Sequence, residues 1–228
     1  MKLAKPCFDI GLATNNLEPM LAFWQTEAGV PFDHVLKIRR GVSQHRHELM
    51  GSVLKINHHV EPLPETPPSG YAELLIARKG LAQPRKLLDP DGNRVTLVPP
   101  GAYGVSQIGV RLIVRDLSAA QRFYAEALGM ETVAGGAGFA IGKSVVLVEH
   151  DPQAPQDAPF EGRGWRYITL QVFGADSDHA HVLARGGREA LAPATYGNVA
   201  RFSMVKDPGG NWIELSQRAS LVGSLEPR

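Results

Sequence analysis

One phrase of the sequence occurs twice, and this repeat constrains the fold more than any other feature. Residues 89–97 read DPDGNRVTL, and residues 207–215 read DPGGNWIEL. In both copies, a polar turn containing proline and glycine is followed by residues of alternating polarity, which predicts a tight turn and then a β-strand. Because Ile213 and Leu215 would share the apolar face of that strand, Glu214 is predicted to point to the opposite face.

A second set of residues occurs twice, and the two copies are about 100 positions apart in the chain. The paired positions are Leu12, Leu17, Phe23, Trp24 and Gly29 with Leu112, Leu117, Phe123, Tyr124 and Gly129. Such self-similarity is typical of a fold built from repeated units. We therefore predict two domains, an abbreviated one over residues 1–100 and a complete one of two modules over residues 101–228, with the boundary near a Pro-Pro-Gly sequence at 99–101.

These repeated phrases resemble those of the vicinal oxygen chelate superfamily. Residues 114–117 (VRDL), 122–124 (RFY) and 127–130 (ALGM) are similar to the opening of one of its modules, and residues 207–215 are similar to its end. The superfamily includes glyoxalase I, extradiol dioxygenases, fosfomycin and bleomycin resistance proteins, and methylmalonyl-CoA epimerase. The resemblance implies an α+β fold in which tandem βαβββ modules form two curled, barrel-like mixed β-sheets with helices on the convex face.

Helical spacing of apolar residues predicts helices at about 17–28 and 119–128, with Trp24 on the face that packs in the core. The short interval between Ala77 and Asp89 predicts that the first half lacks a helix there. In the hairpin at 45–59, we predict that Met50 pairs with Val53. Alternation then puts Leu54 and Ile56 on the packed face and predicts that His45, His47 and His58 serve packing or the surface. The side chains predicted to face the concave side of the sheet are Arg46, Glu48, Lys55, Asn57 and His59.

The resemblance also implies a divalent metal, held by residues on the first and last strands of modules. The corresponding positions are Gly109, Tyr167 and Glu214 in the second half, and Asp9, Tyr71 and Thr96 in the first. Only Glu214 matches the expected ligand types, with Asp9 and His59 as weaker alternatives. Since iron, zinc or nickel typically needs three or more protein ligands, we expect no tightly held metal at the usual positions, and the cofactor stays open.

Strand alternation in the second half predicts a polar cleft with aromatic walls. The hypothesis for catalysis is that Glu214 acts as a base beside the cation of Arg111 and the hydroxyl of Tyr167. The predicted substrate-binding residues are Leu147, Thr169, Gln171 and Trp212. An alternative is an Arg111–Glu214 ion pair that merely fills a disused site.

Composition narrows the classes of partner. The formal net charge of +1 gives no electrostatic reason to expect nucleic acid or an acidic membrane as a partner. No run of 18 apolar residues and no signal peptide is evident, and the single cysteine, Cys7, suits the cytoplasm. The partner expected is a small molecule, and a second copy of the chain in a homodimer is the protein partner considered.

Three functions of different class are compatible with these observations. The first is an enzyme of glyoxalase or dioxygenase type that acts on a small oxygenated substrate. The second is a metal-free binding protein similar to bleomycin resistance proteins, and the third is an accessory subunit with a degenerate site.

Overall fold

The computed structural model describes residues 1–133, 136 and 138–227. Within them, the strands form two mixed sheets, one of eight strands and one of seven. The strands in chain order are β1 (Leu3–Thr14), β2 (Phe32–Arg39), β3 (Val42–Leu49), β4 (Ser52–His59), β5 (Tyr71–Ala77), β6 (Arg85–Leu88), β7 (Arg94–Val98), β8 (Ile108–Val114), β9 (Glu131–Thr132), β10 (Gly138–Ile141), β11 (Ser144–His150), β12 (Gly164–Val172), β13 (Arg188–Tyr196), β14 (Ala200–Lys206) and β15 (Trp212–Arg218).

The two sheets have the same construction. Sheet A has the order β13-β14-β15-β12-β1-β4-β3-β2, and sheet B has the order β6-β7-β5-β8-β11-β10-β9. At the centre of each, the first strands of two modules pair antiparallel, β1 with β12 and β5 with β8. Within each module, the first strand pairs parallel with a later one. The predicted fold of tandem modules in curled mixed sheets is confirmed.

The sheets do not follow the predicted division at residue 100. Sheet A joins strands from 3–59 to strands from 164–218, whereas sheet B joins strands from 71–98 to strands from 108–150. Residue 100 therefore separates two modules that lie within sheet B. The reason is that the outer modules of the chain pair with each other through β1 and β12, and the inner modules pair through β5 and β8.

Two equivalent helices cover the convex side. Helix α1 (Leu17–Ala22) continues as a π-helical segment over Phe23–Glu27, and α2 (Leu117–Arg122) continues in the same way over Phe123–Ala127. Helices α3 (Ala175–Leu183) and α4 (Ala219–Val222) belong to the last module. Between Ala77 and Asp89 the chain forms only strand β6, which confirms the predicted loss of a helix.

The main hydrophobic core lies between these helices and the convex faces of both sheets. Trp24 and Tyr124, at equivalent places in the two helices, are both fully buried in it. Trp24 packs edge-on against Trp165 of β12 at 5.9 Å between ring centroids, so the first and last modules share one core. The prediction that this Trp is a core residue is confirmed.

The repeated turns are held by their first aspartate. The Asp207 carboxylate is buried and accepts a hydrogen bond from the backbone N–H of Asn211 at 2.8 Å, and Asp89 does the same with Asn93. Gly210 has a φ of 86°, which favours glycine. The Tyr124 hydroxyl donates to Asp207 at 3.1 Å, so the second turn contacts the π-helical segment that follows α2.

The hairpin of β3 and β4 has a register two residues away from the predicted one. Val53 pairs with Glu48 rather than Met50, and His45 pairs with Ile56. A shift by two residues leaves every side chain on its predicted face, because strand faces alternate with a period of two. Leu54 and Ile56 accordingly enter the core, as predicted.

No helix in the part of the chain that the structure describes is long and apolar enough to cross a membrane.

Candidate functional site

Sheet A curls around a cavity of about 510 Å³. All eight of its strands contribute side chains, and the loop that precedes β12 adds Phe160 and Glu161 to the wall. Most of the lining is apolar. The apolar and aromatic residues of the wall include Leu36, Ile38, Val42, Phe160, Leu191, Val199, Phe202, Met204 and Trp212. A cavity of this size and character suits a small organic molecule.

The two edge strands of sheet A meet across the cavity. The hydroxyl of Tyr196 on β13 lies 3.1 Å from the carbonyl oxygen of Lys37 and 3.0 Å from that of Ile38, both on β2. Nearby, Arg39 forms an ion pair of 2.8 Å with Glu161 in the loop that precedes β12. The sheet is thus closed toward a barrel by polar contacts between its ends.

Lys55 on β4 and Glu214 on β15 form the polar centre of the cavity wall. The Lys55 ammonium lies 2.7 Å from Glu214 Oε2 and 2.6 Å from the hydroxyl oxygen of Thr169. The Thr169 hydroxyl also donates to Glu214 Oε2, at 2.6 Å. Only 5% of the Lys55 side chain and 17% of the Glu214 side chain are exposed. The pair is therefore well shielded from water and open to the cavity alone.

Tyr167 presents its hydroxyl beside this pair. The oxygen accepts hydrogen bonds from Asn57 Nδ2 at 3.2 Å and Gln44 Nε2 at 3.4 Å, which leaves its own proton free for a ligand. Burial, and then the charge of Glu214, raise the pKa of Tyr167. The residue is therefore a neutral phenol at pH 7 and acts as a hydrogen-bond donor.

Gly11 makes room for the Tyr167 side chain. The two residues pair across β1 and β12, and a Cβ at position 11 would overlap the tyrosine ring. Phe160 then packs against Tyr167 at 5.4 Å and against Trp212 at 5.1 Å between ring centroids. These rings form one continuous aromatic wall.

The structure brings together most of the sequence-predicted site residues. Tyr167, Gln171, Trp212 and Glu214 line the cavity, and Thr169 lies directly behind Glu214. The hairpin residues predicted by alternation to face the concave side also reach it. These are Arg46, Lys55, Asn57 and His59, whereas Glu48 lies at the exposed turn, where it accepts a hydrogen bond from Gly51.

Two predicted residues are placed elsewhere. Arg111 and Leu147 belong to sheet B, so the predicted meeting of Arg111 with Glu214 is wrong. Arg111 instead forms an ion pair of 2.8 Å with Glu73 and contacts Glu149. Leu147 is buried in a small apolar cluster. The cause is the pairing of modules, because β8 and β15 lie in different sheets although both follow residue 100.

The residues at the metal positions of the resembled family do not fit a divalent cation. Glu214 is the carboxylate that faces the cavity there, and the ammonium of Lys55 takes the adjacent place, where it would repel a metal ion. Asp9 is held by Lys5 at 2.6 Å and by Gln171 at 3.0 Å. In the described parts of the chain, no three His, Cys, Asp or Glu side chains come together as a metal site.

His59 lies at the cavity wall, away from that centre. Burial and the charge of Arg39 lower its pKa, so it is a neutral imidazole at pH 7. The predicted pairing of Asp9 with His59 as metal ligands does not form, because Asp9 accepts a hydrogen bond from the backbone N–H of Val53 near the start of β4, whereas His59 is the last residue of that strand.

The pairing of Lys55 with Glu214 was not predicted. Alternation places both side chains on concave faces, but nothing in the sequence indicates that β4 and β15 share one sheet. Two further residues of the lining were not predicted either: Phe160 lies in a proline-rich loop, and Arg218 follows the repeated phrase at the end of β15.

The geometry defines a vicinal oxygen chelate fold with a cavity in one of its two sheets. Solved structures support that class. Glyoxalase I from Zea mays has a TM-score of 0.71 at 15% identity, covering 97% of this chain and 94% of that one. A putative dioxygenase from Bacillus subtilis has a TM-score of 0.67 at 11% identity, covering 95% and 86%. At these identities the likeness concerns the fold.

The sequence is similar to the same class of protein. Residues 105–215 match the model of the Glyoxalase/Bleomycin resistance protein/Dioxygenase superfamily. This match confirms the resemblance found in the repeated phrases. No curated protein sequence matched the chain.

Proposed function

We propose that the protein is an enzyme that binds a small carbonyl compound in the sheet A cavity and moves a proton on it. The observation that carries this proposal is the Glu214 carboxylate at the cavity wall. Its Oε2 is held by Lys55 and Thr169, while the structure shows no hydrogen bond from the described residues to its Oε1. A fixed carboxylate with one free oxygen is suited to act as a general base.

In this proposal Glu214 Oε1 takes the proton from the carbon beside the carbonyl group. The C–H bond breaks, its electron pair enters the enolate, and the proton stays on Glu214 until it returns to the same or the neighbouring carbon. The Lys55 ammonium and the Tyr167 hydroxyl are placed to donate hydrogen bonds to the enolate oxygen. Donors aimed at a developing negative charge in a site shielded from water lower the barrier.

The test measures exchange of carbon-bound hydrogen with solvent, so the complete reaction need not be known. A panel of 2-oxo acids and 2-hydroxy ketones is incubated with the protein in D₂O, and NMR follows deuterium entering beside the carbonyl group. We expect catalysed exchange with the wild type. Glu214→Gln should retain binding, measured by thermal shift, and lose roughly 10²–10⁴ in exchange rate, the usual contribution of a general base.

Thr96→Val is the matched control, because Thr96 occupies in sheet B the strand position that Glu214 occupies in sheet A. It should leave exchange unchanged. Equal exchange rates in wild type and Glu214→Gln would contradict the proposed role of Glu214. Elemental analysis of protein purified without chelators tests the separate expectation that no metal is held at this site.

A metal-free binding protein is the second candidate. It is favoured by the apolar wall and by the ion pair that already satisfies Glu214 Oε2. The two functions give different results in the same experiment. A binding protein would show compounds that raise the melting temperature of the wild type while none of them undergoes catalysed exchange.

A further inference from the structure

The charges around the sheet A cavity are not balanced. The cationic side chains of the lining are Arg39, Arg46, Lys55, Arg166 and Arg218, and the carboxylates are Glu161 and Glu214. Arg39 is paired with Glu161, and Lys55 is paired with Glu214. The other three arginines of the lining form no ion pair among the described residues. They are Arg46, Arg166 and Arg218.

Arg166 is satisfied without an anion. Its guanidinium donates to the carbonyl oxygens of Gly162 at 2.7 Å and Arg163 at 2.5 Å, and to those of Pro67 and Pro159 at longer distances. Burial lowers the pKa of Arg166 to about 10, which still leaves it charged at neutral pH. Arg166 therefore stabilises the loop that carries Phe160.

Arg46 is different. Only 6% of the residue is exposed, yet its one hydrogen bond in the described structure is from Nη1 to Gln44 Oε1, at 2.7 Å. Its Nε is buried and has no hydrogen-bond partner. A buried guanidinium held by a single amide is energetically unfavourable, because charges in protein interiors are normally paired and fully hydrogen-bonded.

Arg218 faces the same cavity. Arg218 lies on β15 and Arg46 on β3, which are separated by β12, β1 and β4 in sheet A, and both side chains line the cavity. Burial lowers the pKa of Arg218, and the charge of Arg46 lowers it further, while the charges of Asp9 and Glu214 act in the opposite direction without forming an ion pair with it. The two cations are thus close enough to repel each other.

We propose that Arg46 and Arg218 form a subsite for the anionic group of the ligand, a carboxylate or a phosphate on an apolar or aromatic body. The inference rests on the proposed function of this cavity and narrows the class of ligand to organic anions. A guanidinium offers several donors in a planar fork that matches both anions. The anion would supply the charge that the described wall lacks, while the apolar lining covers the rest of the molecule.

The experiment compares anions with neutral compounds of the same shape. Aromatic and aliphatic carboxylates such as benzoate and phenylpyruvate are paired with their primary amides, and phenyl phosphate and inorganic phosphate are added. Binding is measured by thermal shift and isothermal titration calorimetry. We expect the carboxylates or phenyl phosphate to bind the wild type clearly better than the amides, and the ratio between these two arms identifies the preferred anion.

Arg46→Met and Arg218→Met should each weaken binding of the preferred anion by roughly 10- to 100-fold, the usual worth of a hydrogen bond to a charged group. Their affinity for the amides should not change. Arg122→Met, on the exposed side of α2, is the control and should bind like the wild type. Without ligand, Arg46→Met should melt no lower than the wild type, because it removes a charge that is buried without an anion.

Equal binding of amides and anions would overturn the proposal, as would undiminished anion binding in both variants or no binding of any anion. The first of these results leaves the proposed function intact, because a neutral carbonyl compound could still undergo exchange. The converse result is also distinct: anions that bind through Arg46 and Arg218 but show no catalysed exchange would contradict the proposed enzyme and support this subsite.

Discussion

Sheets A and B share one connectivity but differ on their concave faces. The register makes Gly11 equivalent to Arg111, Lys55 to Leu147, Tyr167 to Glu73 and Glu214 to Thr96. In sheet A these positions give a phenol and a shielded ion pair facing an open cavity. In sheet B they give a leucine and the Arg111–Glu73 ion pair, whose cation is more exposed than Lys55.

The concave face of sheet B is filled by its own chain. Val105, after a 3₁₀ turn at Ala102–Gly104, is fully buried against Leu75, Val145 and Leu147. Gly109 allows this approach, because a Cβ there would come within 2.8 Å of a Val105 methyl group. A curled sheet alone therefore does not provide an open cavity. The concave face must also stay free of apolar side chains from connecting segments.

The largest effect on stability should come from breaking the ion pair of sheet A. Lys55→Met leaves the shielded Glu214 carboxylate without its cation, which should lower the free energy of unfolding by about 3–5 kcal/mol. The equivalent test in sheet B is Arg111→Met, which removes the cation of Glu73 and should cost less because 22% of the Arg111 side chain is exposed, against 5% of the Lys55 side chain. Urea denaturation of both variants measures the difference.

A double variant sharpens this test. Lys55→Met combined with Glu214→Met replaces both charges by apolar side chains and should recover most of the lost stability, since a buried pair replaced by hydrophobic residues is often neutral. If Lys55→Met alone proved as stable as the wild type, the pair would not be shielded in solution as the structure shows.

A smaller effect is expected from the glycine that makes room for the aromatic wall. Gly11→Ala places a methyl group where the Tyr167 ring lies, and overpacking of this kind should cost about 1–3 kcal/mol. Because the ring would be pushed toward the cavity, ligand binding should fall as well. Gly109→Ala in sheet B meets a valine methyl group rather than a ring and should cost less, and thermal denaturation compares the two. A milder effect for Gly11→Ala than for Gly109→Ala would contradict this account of the wall.

The smallest effect concerns pH and sheet B. Burial raises the pKa of Glu73, but hydrogen bonds from Thr96 and Arg111 and the charge of Arg111 outweigh it, so the pKa is lowered from 4.5. A carboxyl with a lowered pKa in the folded state contributes stability above pH 4.5 and loses it as the pH falls through the folded-state pKa. Stability of Glu73→Gln should therefore decline less steeply below pH 4.5 than that of the wild type. Parallel curves for the two proteins, measured by denaturation across this pH range, would show that the ion pair is not formed in solution.

Much of the local structure could be predicted because it depends on local patterns. Helical spacing of apolar residues located both helices, and their π-helical segments recur at the offset of about 100 residues seen in the sequence. Alternation in β3 and β4 assigned Arg46 and Lys55 to the concave side although the predicted register was two residues away. Such an error does not change the assignment of side chains to faces of the sheet, since a shift by two residues returns every side chain to the same side.

The candidate site was only partly predictable. Glu214, Tyr167 and Trp212 were found because they belong to the last module, whose strands are regular. Arg111 was assigned to the same site because it also follows residue 100, and this was wrong. Arg218 and Phe160 carried no repeat signal, since neither has a counterpart in the phrases that recur.

The sequence by itself determined the modules, their order, and which face of each strand is apolar, because turns and alternation are properties of neighbouring residues. Only the tertiary structure decided which modules share a sheet. The central strands of both sheets join through backbone hydrogen bonds, which any two extended segments can form and which no side-chain pattern specifies. For that reason Lys55 and Glu214, 159 residues apart, meet in one cavity, while Arg111 lies in the other sheet.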